Sequence, residues 1–441
     1  MLVIRNATVL TLDDEDSFFY PGTVVIDGDR IQKVYAGDPT PQDLRGRVLD
    51  GTDTLVMPGF VDLHFHTSVA KGFGDELPLK EYLEEVWYPS IRALNRERAH
   101  TAALHSYCTA LKSGTTTVND MYRFVPALAD AASQLGMRAV LSNEVALPEH
   151  GLDSVQDNED SHAQHDGREN GLIRVWMGHE WMCTSNIELM TEVGEAMKRL
   201  DTGLHIHLSE SEQEVADTVT KYGKTPVEIA YETGCLGPRT VAAHCVHLTE
   251  RDIQLLAETG TSVSYDPGSN AKLGNGIADL QALLKAGINV GMGIDAFECE
   301  NSPDMFEQMK FGSLIQRALH KDASLAKPRD ILRMATRNGA KALGLDTGVI
   351  AAGKKADLIV VDLTKNQMFT PLLQDPVKRK TMLESHLVFG CNGSAVRDVI
   401  IDGKVVMIGG RVEADEEKVR KDMDAMFEEI AEEMKDLVVK N

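Results

Sequence analysis

The sequence predicts an α/β protein in which a (β/α)8 TIM barrel is joined to a β-sandwich domain formed from both termini. Eight short apolar runs alternate with helical patterns through residues 57–349, an alternation that is typical of the barrel. Residues 1–56 and 350–412 are instead rich in β-branched residues and short turns, which predicts one composite β domain. Residues 413–441 carry a charged amphipathic pattern that predicts a C-terminal helix.

The barrel strands are expected at the apolar runs, and turn and cap residues separate them. These runs are residues 60–63, 115–120, 137–143, 172–178, 203–208, 240–244, 261–265 and 288–293. Thr225 with Glu228, and Thr249 with Asp252, form capping boxes that begin two of the intervening helices. The polar run 159–170 is expected to be a solvated loop.

The composition limits which partners are expected and indicates the cellular compartment. The 441 residues are 43% apolar and carry a net charge of −23, which repels phosphate backbones and anionic lipid. We therefore expect neither nucleic acid nor a membrane as a partner, whereas a homo-oligomer is compatible with the composition. Six cysteines without a CxxC pair, and an N-terminus without a signal-peptide pattern, predict a cytoplasmic protein.

The first predicted strand ends in two histidines that point to the same side. His64 and His66 stand at positions i and i+2 of a strand, and alternate residues of a strand share a face. The active site of a barrel of this kind lies at the carboxyl ends of its strands. Two imidazoles there can share one metal ion.

Three more strands end in residues of the same chemistry. The fifth strand supplies His205 and His207 with Glu210 just beyond it, the sixth ends at His244, and the eighth is followed by Asp295. Each could be a buried polar residue with a local partner, and that is the interpretation for His205, which lies deeper in the strand. Four strands that all end this way favour a shared site.

The motifs around these residues resemble those of the amidohydrolase superfamily. PGFVDLHFH, HIHLSESE, AAHCVHL, PGSNAKLGNGI and GMGID occur in this order over nearly the whole chain. Among its members, the adenosine-type and triazine hydrolases are the most similar, and DELPLKEYLEEVWYP and TTTVNDMY resemble the S-adenosylhomocysteine and methylthioadenosine deaminases.

The resemblance implies roles for individual residues. His64, His66, His207 and Asp295 match the metal ligands; Glu210 and His244, with Asp295, match the catalytic groups; Glu81 and His179 match positions that hold the ribose and the ring. Asn143 and Trp87 are further candidates for the substrate pocket. The implied cofactor is one divalent metal ion, zinc being favoured over iron, since imidazole and carboxylate ligands suit either.

The implied reaction is hydrolysis of a C–N bond in a cyclic amidine, that is, deamination of an aminated N-heterocycle such as an adenosine-type nucleoside. A divalent ion lowers the pKa of bound water from ~15.7 to about 7, and the resulting hydroxide attacks the C–N carbon. Asp295 and His244 would take the proton of the water, and Glu210 would protonate the ring nitrogen and then the leaving amine.

The sequence departs from the pattern in the pocket wall. Related deaminases that accept an amino-acid tail have arginines after the third strand, where this chain has Asn143 and Glu144. Tyr265-Asp266-Pro267 replaces a histidine-asparagine-proline pattern. We therefore hypothesise a small heterocyclic substrate without a carboxylate.

Two other functions are compatible with the same motifs. A triazine-type hydrolase would displace chloride or an alkylamine instead of ammonia with the same residues. A non-catalytic scaffold could keep the fold, although such proteins usually lose the metal ligands that are all present here.

Overall fold

The protein, analysed as a computed structural model, is described for residues 1–70, 72–365, 369 and 372–433. The predicted C-terminal helix is present as Glu416–Glu433, and the predicted part from 434 to 441 lies outside the described residues. No helix within these described ranges has the length and apolar character that crossing a bilayer requires.

The strands are distributed between two sheets. They are β1 Leu2–Leu10, β2 Phe18–Asp27, β3 Arg30–Ala36, β4 Arg47–Asp50, β5 Thr54–Pro58, β6 Phe60–His66, β7 Thr115–Met121, β8 Arg138–Ser142, β9 Ile173–Val175, β10 Met177–His179, β11 Leu204–Leu208, β12 Thr240–His244, β13 Ser262–Tyr265, β14 Val290–Met292, β15 Asp295–Ala296, β16 Leu358–Asp362, β17 Val396–Ile401, β18 Lys404–Ile408 and β19 Arg411–Val412.

The helices lie mainly between the strands of the second sheet. They are α1 Leu79–Tyr82, α2 Tyr88–Arg92, α3 Arg96–Lys112, α4 Val125–Leu135, α5 Val155–His165, α6 Arg168–Gly171, α7 Ile187–Arg199, α8 Glu212–Tyr222, α9 Pro226–Glu232, α10 Glu250–Thr259, α11 Pro267–Lys272, α12 Leu280–Lys285, α13 Phe297–Glu300, α14 Met305–His320, α15 Pro328–Arg333, α16 Gly339–Ala342, α17 Pro376–Phe389 and α18 Glu416–Glu433. Residues Leu83–Trp87 and Met334–Asn338 form π-helical turns.

The second sheet confirms the predicted α/β barrel. Its order is β10-β11-β12-β13-β14-β6-β7-β8-β9, with β15 beside β6, and every pairing is parallel. The fourth predicted strand is broken at Trp176 into β9, which pairs with β8, and β10, which pairs with β11, so this segment closes the ring. Gly203 lies against the Trp176 indole, where a Cβ would clash.

Strands from both ends of the chain form the other sheet. Its order is β19-β18-β17-β16-β5-β1-β2-β3, with β4 paired to β1. The antiparallel pairing of β16 with β5 joins the C-terminal strands to the N-terminal ones. The arrangement of these strands as a two-layered sandwich, and the domain boundaries assigned to it, stay predictions.

One buried ion-pair cluster connects the barrel to this sheet. Arg138, the first residue of β8, is 3% exposed and contacts both carboxylate oxygens of Asp357 at 2.6 and 3.1 Å. Its Nη2 also donates to Asp402 at 3.1 Å. Because both partners lie on segments around β16 and β17, this contact fixes the start of a barrel strand to the terminal sheet.

Local sequence signals account for the starts of several helices. Both predicted capping boxes are present, at Thr225–Glu228 and Thr249–Asp252. The prediction of a solvated loop at 159–170 was wrong, because most of this run lies in α5 and α6. Ser154 and Asp157 form a capping box that begins α5, and this cap lies before the polar run on which the prediction was based.

Candidate active site

The candidate site lies at the carboxyl ends of neighbouring barrel strands. Leu208 of β11 is paired with His244 of β12, and Asp295 of β15 is paired with Phe65 of β6. These pairings bring the ends of β6, β11, β12 and β14 to one rim of the barrel, as the parallel arrangement requires.

Three imidazoles and one carboxylate converge at this rim. His64 Nε2 and His66 Nε2 each lie 3.5 Å from Asp295 Oδ1, and His66 Nε2 lies 3.1 Å from His207 Nε2. Zinc binds imidazole nitrogen at about 2.0–2.1 Å in tetrahedral geometry, which separates the ligand atoms by about 3.4 Å. The observed spacing therefore suits four ligands of one divalent ion.

Hydrogen bonds at the Nδ1 atoms of His66 and His64 orient their Nε2 lone pairs toward the point between the four candidate ligands. His66 Nδ1 lies 2.6 Å from the carbonyl oxygen of Met121, to which only an N–H can donate, so its Nε2 carries the lone pair. His64 Nδ1 lies 2.8 Å from His205 Nε2. His64 Nε2 is fully buried without a hydrogen-bond partner among the described residues. An acceptor left in this state suits a cation.

Burial keeps the imidazoles of His64 and His207 in the form that binds a metal. Desolvation lowers the pKa of His64 and the pKa of His207 well below the usual value, so both rings are neutral at pH 7. A neutral imidazole retains the lone pair that coordination needs.

The backbone at two of these positions is strained. His244 has φ 69° and Asp295 has φ 74°, in the left-handed region that non-glycine residues rarely adopt, at about 1–3 kcal/mol each. Ser269 Oγ donates to Asp295 Oδ2 at 2.5 Å. The backbone N–H of His244 donates to Asp266 Oδ2 at 2.9 Å. These contacts hold both side chains at the rim.

The groups suited to proton transfer face each other beside this cluster. His244 Nδ1 lies 2.9 Å from Asn270 Oδ1, so the ring donates there and its Nε2 is an acceptor. That Nε2 is 3.7 Å from Glu210 Oε2, while Asn275 Nδ2 donates to Glu210 Oε1 at 2.9 Å. Burial raises the pKa of Glu210 well above its usual value, which favours a carboxyl that can carry a proton.

A small cavity opens onto these side chains. It is lined by His66, Leu79, Tyr82, Leu83, Trp87, Glu180, Trp181, His207, Glu210, His244, Leu273, Asp295, Ala296 and Cys299, and its free volume is about 30 Å³. Two outer cavities of about 350 and 760 Å³ adjoin it, and Trp181 lines all three. The inner cavity is therefore the smallest of the three and the one that contacts the cluster of histidines and Asp295.

The predicted site residues fall into two groups. His64, His66, His207, Asp295, Glu210 and His244 lie together, and Trp87 lines the inner cavity. Glu81 lines the larger outer cavity. His179 and Asn143 do not line the cavities described above: His179 Nε2 contacts Ser185 Oγ at 2.8 Å, and Asn143 Nδ2 donates to Asp153 at 2.8 Å. All four substrate roles stay predictions.

Sequence reasoning missed the residues that hold the reactive groups. Ser269, Asn270 and Asn275 contact Asp295, His244 and Glu210, respectively. All three lie in the segment PGSNAKLGNGI, which was quoted as a motif without roles. Small polar residues directly after β13 were the available signal, because that strand also ends at the rim.

Comparison with known proteins gives a consistent set of relatives. The sequence profile of the amidohydrolase family matches residues 55–406. A 5′-deoxyadenosine deaminase of Methanosarcina mazei is 36% identical over 97% of this chain and 98% of its own. A 5-methylthioadenosine/S-adenosylhomocysteine deaminase of Caldanaerobacter subterraneus is 36% identical over 92% and 93%. The crystal structure of a Xanthomonas campestris adenosine deaminase with bound zinc has 28% identity and a TM-score of 0.88 over 98% of both chains.

Gly293 is predicted to be necessary for the geometry of the cluster. A Cβ at this position would lie 2.6 Å from Ser264 Oγ and 2.8 Å from His64 Cβ, and it would also clash with Asp266. We expect Gly293→Ala to lower the free energy of unfolding by about 1–3 kcal/mol, measured by denaturant titration. Gly237→Ala is the control, because its Cβ would meet nothing within 4 Å. Equal stability of the two variants would contradict this packing.

Proposed function

The chain belongs to the amidohydrolase family, and from that premise we propose that it is a metal-dependent aminohydrolase that deaminates an adenosine-type nucleoside. The observation that carries the proposal is the convergence of His64, His66, His207 and Asp295 beside the facing pair Glu210 and His244. Two relatives that are each 36% identical, the 5′-deoxyadenosine deaminase and the 5-methylthioadenosine/S-adenosylhomocysteine deaminase named above, support this assignment.

The metal site is assigned from the donor set. Three imidazole nitrogens and one carboxylate oxygen would hold a divalent ion, and zinc is favoured because the Xanthomonas campestris neighbour binds it. When bound, such an ion supplies Lewis acidity that makes water a nucleophile near neutral pH.

The residues of the chain account for the proton movements. In the net reaction, water replaces the amino group at the C–N carbon, so that ammonia leaves and a carbonyl forms. His244 Nε2 is free to accept a proton from the attacking water, because its Nδ1–H is engaged by Asn270. Glu210 is 3.7 Å away and would donate its proton to the ring nitrogen. Of the two protons that the water gives up, one would pass to the leaving amine through Glu210 and the other would restore the protonated Glu210.

The walls of the cavities favour a nucleoside whose 5′ group is uncharged. The larger outer cavity carries Glu81 and Glu212 against Lys80. The smaller outer cavity carries Lys80, Arg92 and Lys221, but also Glu84 and Asp217, so its cations are largely balanced. We assign the purine ring to the inner cavity and the ribose with its 5′ group to the outer ones.

Two broader expectations accompany this function. A cytoplasmic location and a homo-oligomeric state remain predictions from composition. All six cysteines are unpaired, which accords with a reducing compartment.

The reaction class is tested by a substrate panel. We expect ammonia release from 5′-deoxyadenosine, methylthioadenosine and adenosine, with kcat/KM at least about tenfold above that for S-adenosylhomocysteine, because acidic side chains outnumber Lys and Arg over the two outer cavities that would hold the 5′ group. A preference for S-adenosylhomocysteine would contradict the proposal that the cavities select against a charged 5′ group. Release of chloride or an alkylamine from triazines, without ammonia from any nucleoside, would overturn the deaminase assignment in favour of the triazine-type alternative.

Glu210→Gln tests the proposed proton carrier. The amide cannot transfer a proton, so kcat should fall by about 10²–10⁴-fold while the metal content stays at the wild-type value. Steady-state ammonia release and metal analysis of the same sample measure both. Glu195→Gln, an exposed substitution on α7, is the matched control. Full activity in Glu210→Gln would show that another group carries the proton.

A further inference from the structure

Arg379 is a buried arginine without an anionic partner among the described residues. The residue lies in the first turns of α17 and is 4% exposed. Among the described residues its Nε has no hydrogen-bond partner, and its side chain forms no ion pair. The neighbouring Lys380, by contrast, contacts Asp16 at 2.8 Å. In a chain with 68 acidic residues, a buried guanidinium left unpaired is unusual.

The guanidinium is held against an aromatic ring. Its central carbon lies 3.3 Å from the centroid of the Tyr20 ring. Stacking of this kind holds the planar group by one face and leaves its N–H edges available in the plane. The contact therefore orients the guanidinium without satisfying its donors.

Arg379 also lines a cavity of about 240 Å³ at the terminal sheet. Thr8, Tyr20, Asp53, Thr54 and Leu372 are among the other lining residues. No residue of this lining belongs to the inner catalytic cavity or to the two outer cavities. The cavity thus lies on the sheet formed by both chain ends, apart from the proposed active site.

We propose that this cavity is a binding site for a small oxyanion, a phosphate or carboxylate group, held by Arg379. A buried charge without a counterion is costly, and a planar guanidinium matches two oxygens of such a group. The Tyr20 ring fixes the plane of the Arg379 guanidinium. The hydroxyl groups of Thr8 and Thr54 make part of the cavity wall polar. The site rests on these contacts and is independent of the proposed deamination.

Asp53 is the acidic group that faces the same cavity. It is exposed and forms no ion pair with Arg379 in the described structure. Its carboxylate would repel an incoming anion, so it should weaken binding. Asp53→Asn is therefore expected to bind the anion more tightly than the wild-type chain does.

The site is tested with orthophosphate and acetate as separate probes. The full-length protein is dialysed into chloride buffer, and each probe is titrated at constant ionic strength by calorimetry and by thermal unfolding. We expect saturable binding of at least one probe and a rise in Tm of several degrees. The probe that binds shows whether the site takes a phosphate or a carboxylate group.

Variants separate this site from other modes of binding. Arg379→Met should weaken anion binding at least tenfold. Arg379→Lys should weaken it less, because lysine keeps the positive charge but lacks the planar N–H groups of the guanidinium. Asp53→Asn should strengthen binding. Arg174→Met is the control, because Arg174 is a partly exposed arginine already paired with Asp166 at 2.9 Å. If Arg379→Met does not fold, Arg379→Lys provides the comparison.

Three results would overturn the proposal. The first is the absence of saturable binding of either probe to the wild-type protein. The second is unchanged affinity in Arg379→Met or, should that variant not fold, in Arg379→Lys, which would assign any bound anion to the metal or to the surface. The third is a fall in Tm of Asp53→Asn in chloride buffer as large as that of Arg379→Met, which would identify Asp53 as the partner of the arginine in solution.

Discussion

The contact between the ring nitrogens of His64, His66 and His207 and the carboxylate of Asp295 is the constraint on which the rest of the site depends. Separations of 3.1 to 3.5 Å between these polar atoms suit a cation that lies among them, because neutral imidazole lone pairs directed at one point otherwise repel each other and a carboxylate. His66 donates its Nδ1–H to the Met121 carbonyl, so its Nε2 lone pair faces that point, and the Nδ1–H of His64 donated to His205 Nε2 leaves the His64 lone pair in the same position. Glu210 and His244 are useful chemically because they lie beside it.

The barrel provides this arrangement through strand order and through strained strand ends. Adjacent parallel strands bring the ends of β6, β11, β12 and β14 together, although their residues are far apart in the chain. The left-handed backbone at His244 and Asp295 then turns each chain sharply at the rim. Residues from the segment after β13 secure both positions. The strained backbone at the rim thus lowers the stability of the fold but holds the side chains of His244 and Asp295 in place. At the opposite end of β8, the ion pair of Arg138 with Asp357 joins the barrel to the terminal sheet.

The sequence was most informative where a local pattern has one structural meaning. Alternation along β6 predicts that His64 and His66 share a face, and apolar runs predict the barrel strands to within a few residues. The sequence was least informative where tertiary contacts determine the local structure. The break at Trp176 follows from a change of partner strand, the helix over part of 159–170 depends on a cap at Ser154, and the engagement of Asn143 with Asp153 depends on how a loop folds back. The roles of Ser269, Asn270 and Asn275 also required the position of their segment beside the rim.

The most direct test of the central claim is an anomalous difference map, collected at the zinc absorption edge from crystals of the zinc-loaded protein. We expect a single strong peak within about 2.0–2.2 Å of the nearest ring nitrogens of His64, His66 and His207 and of an Asp295 oxygen. A fully occupied peak elsewhere, or a zinc-saturated crystal with no peak among these four residues, would contradict it.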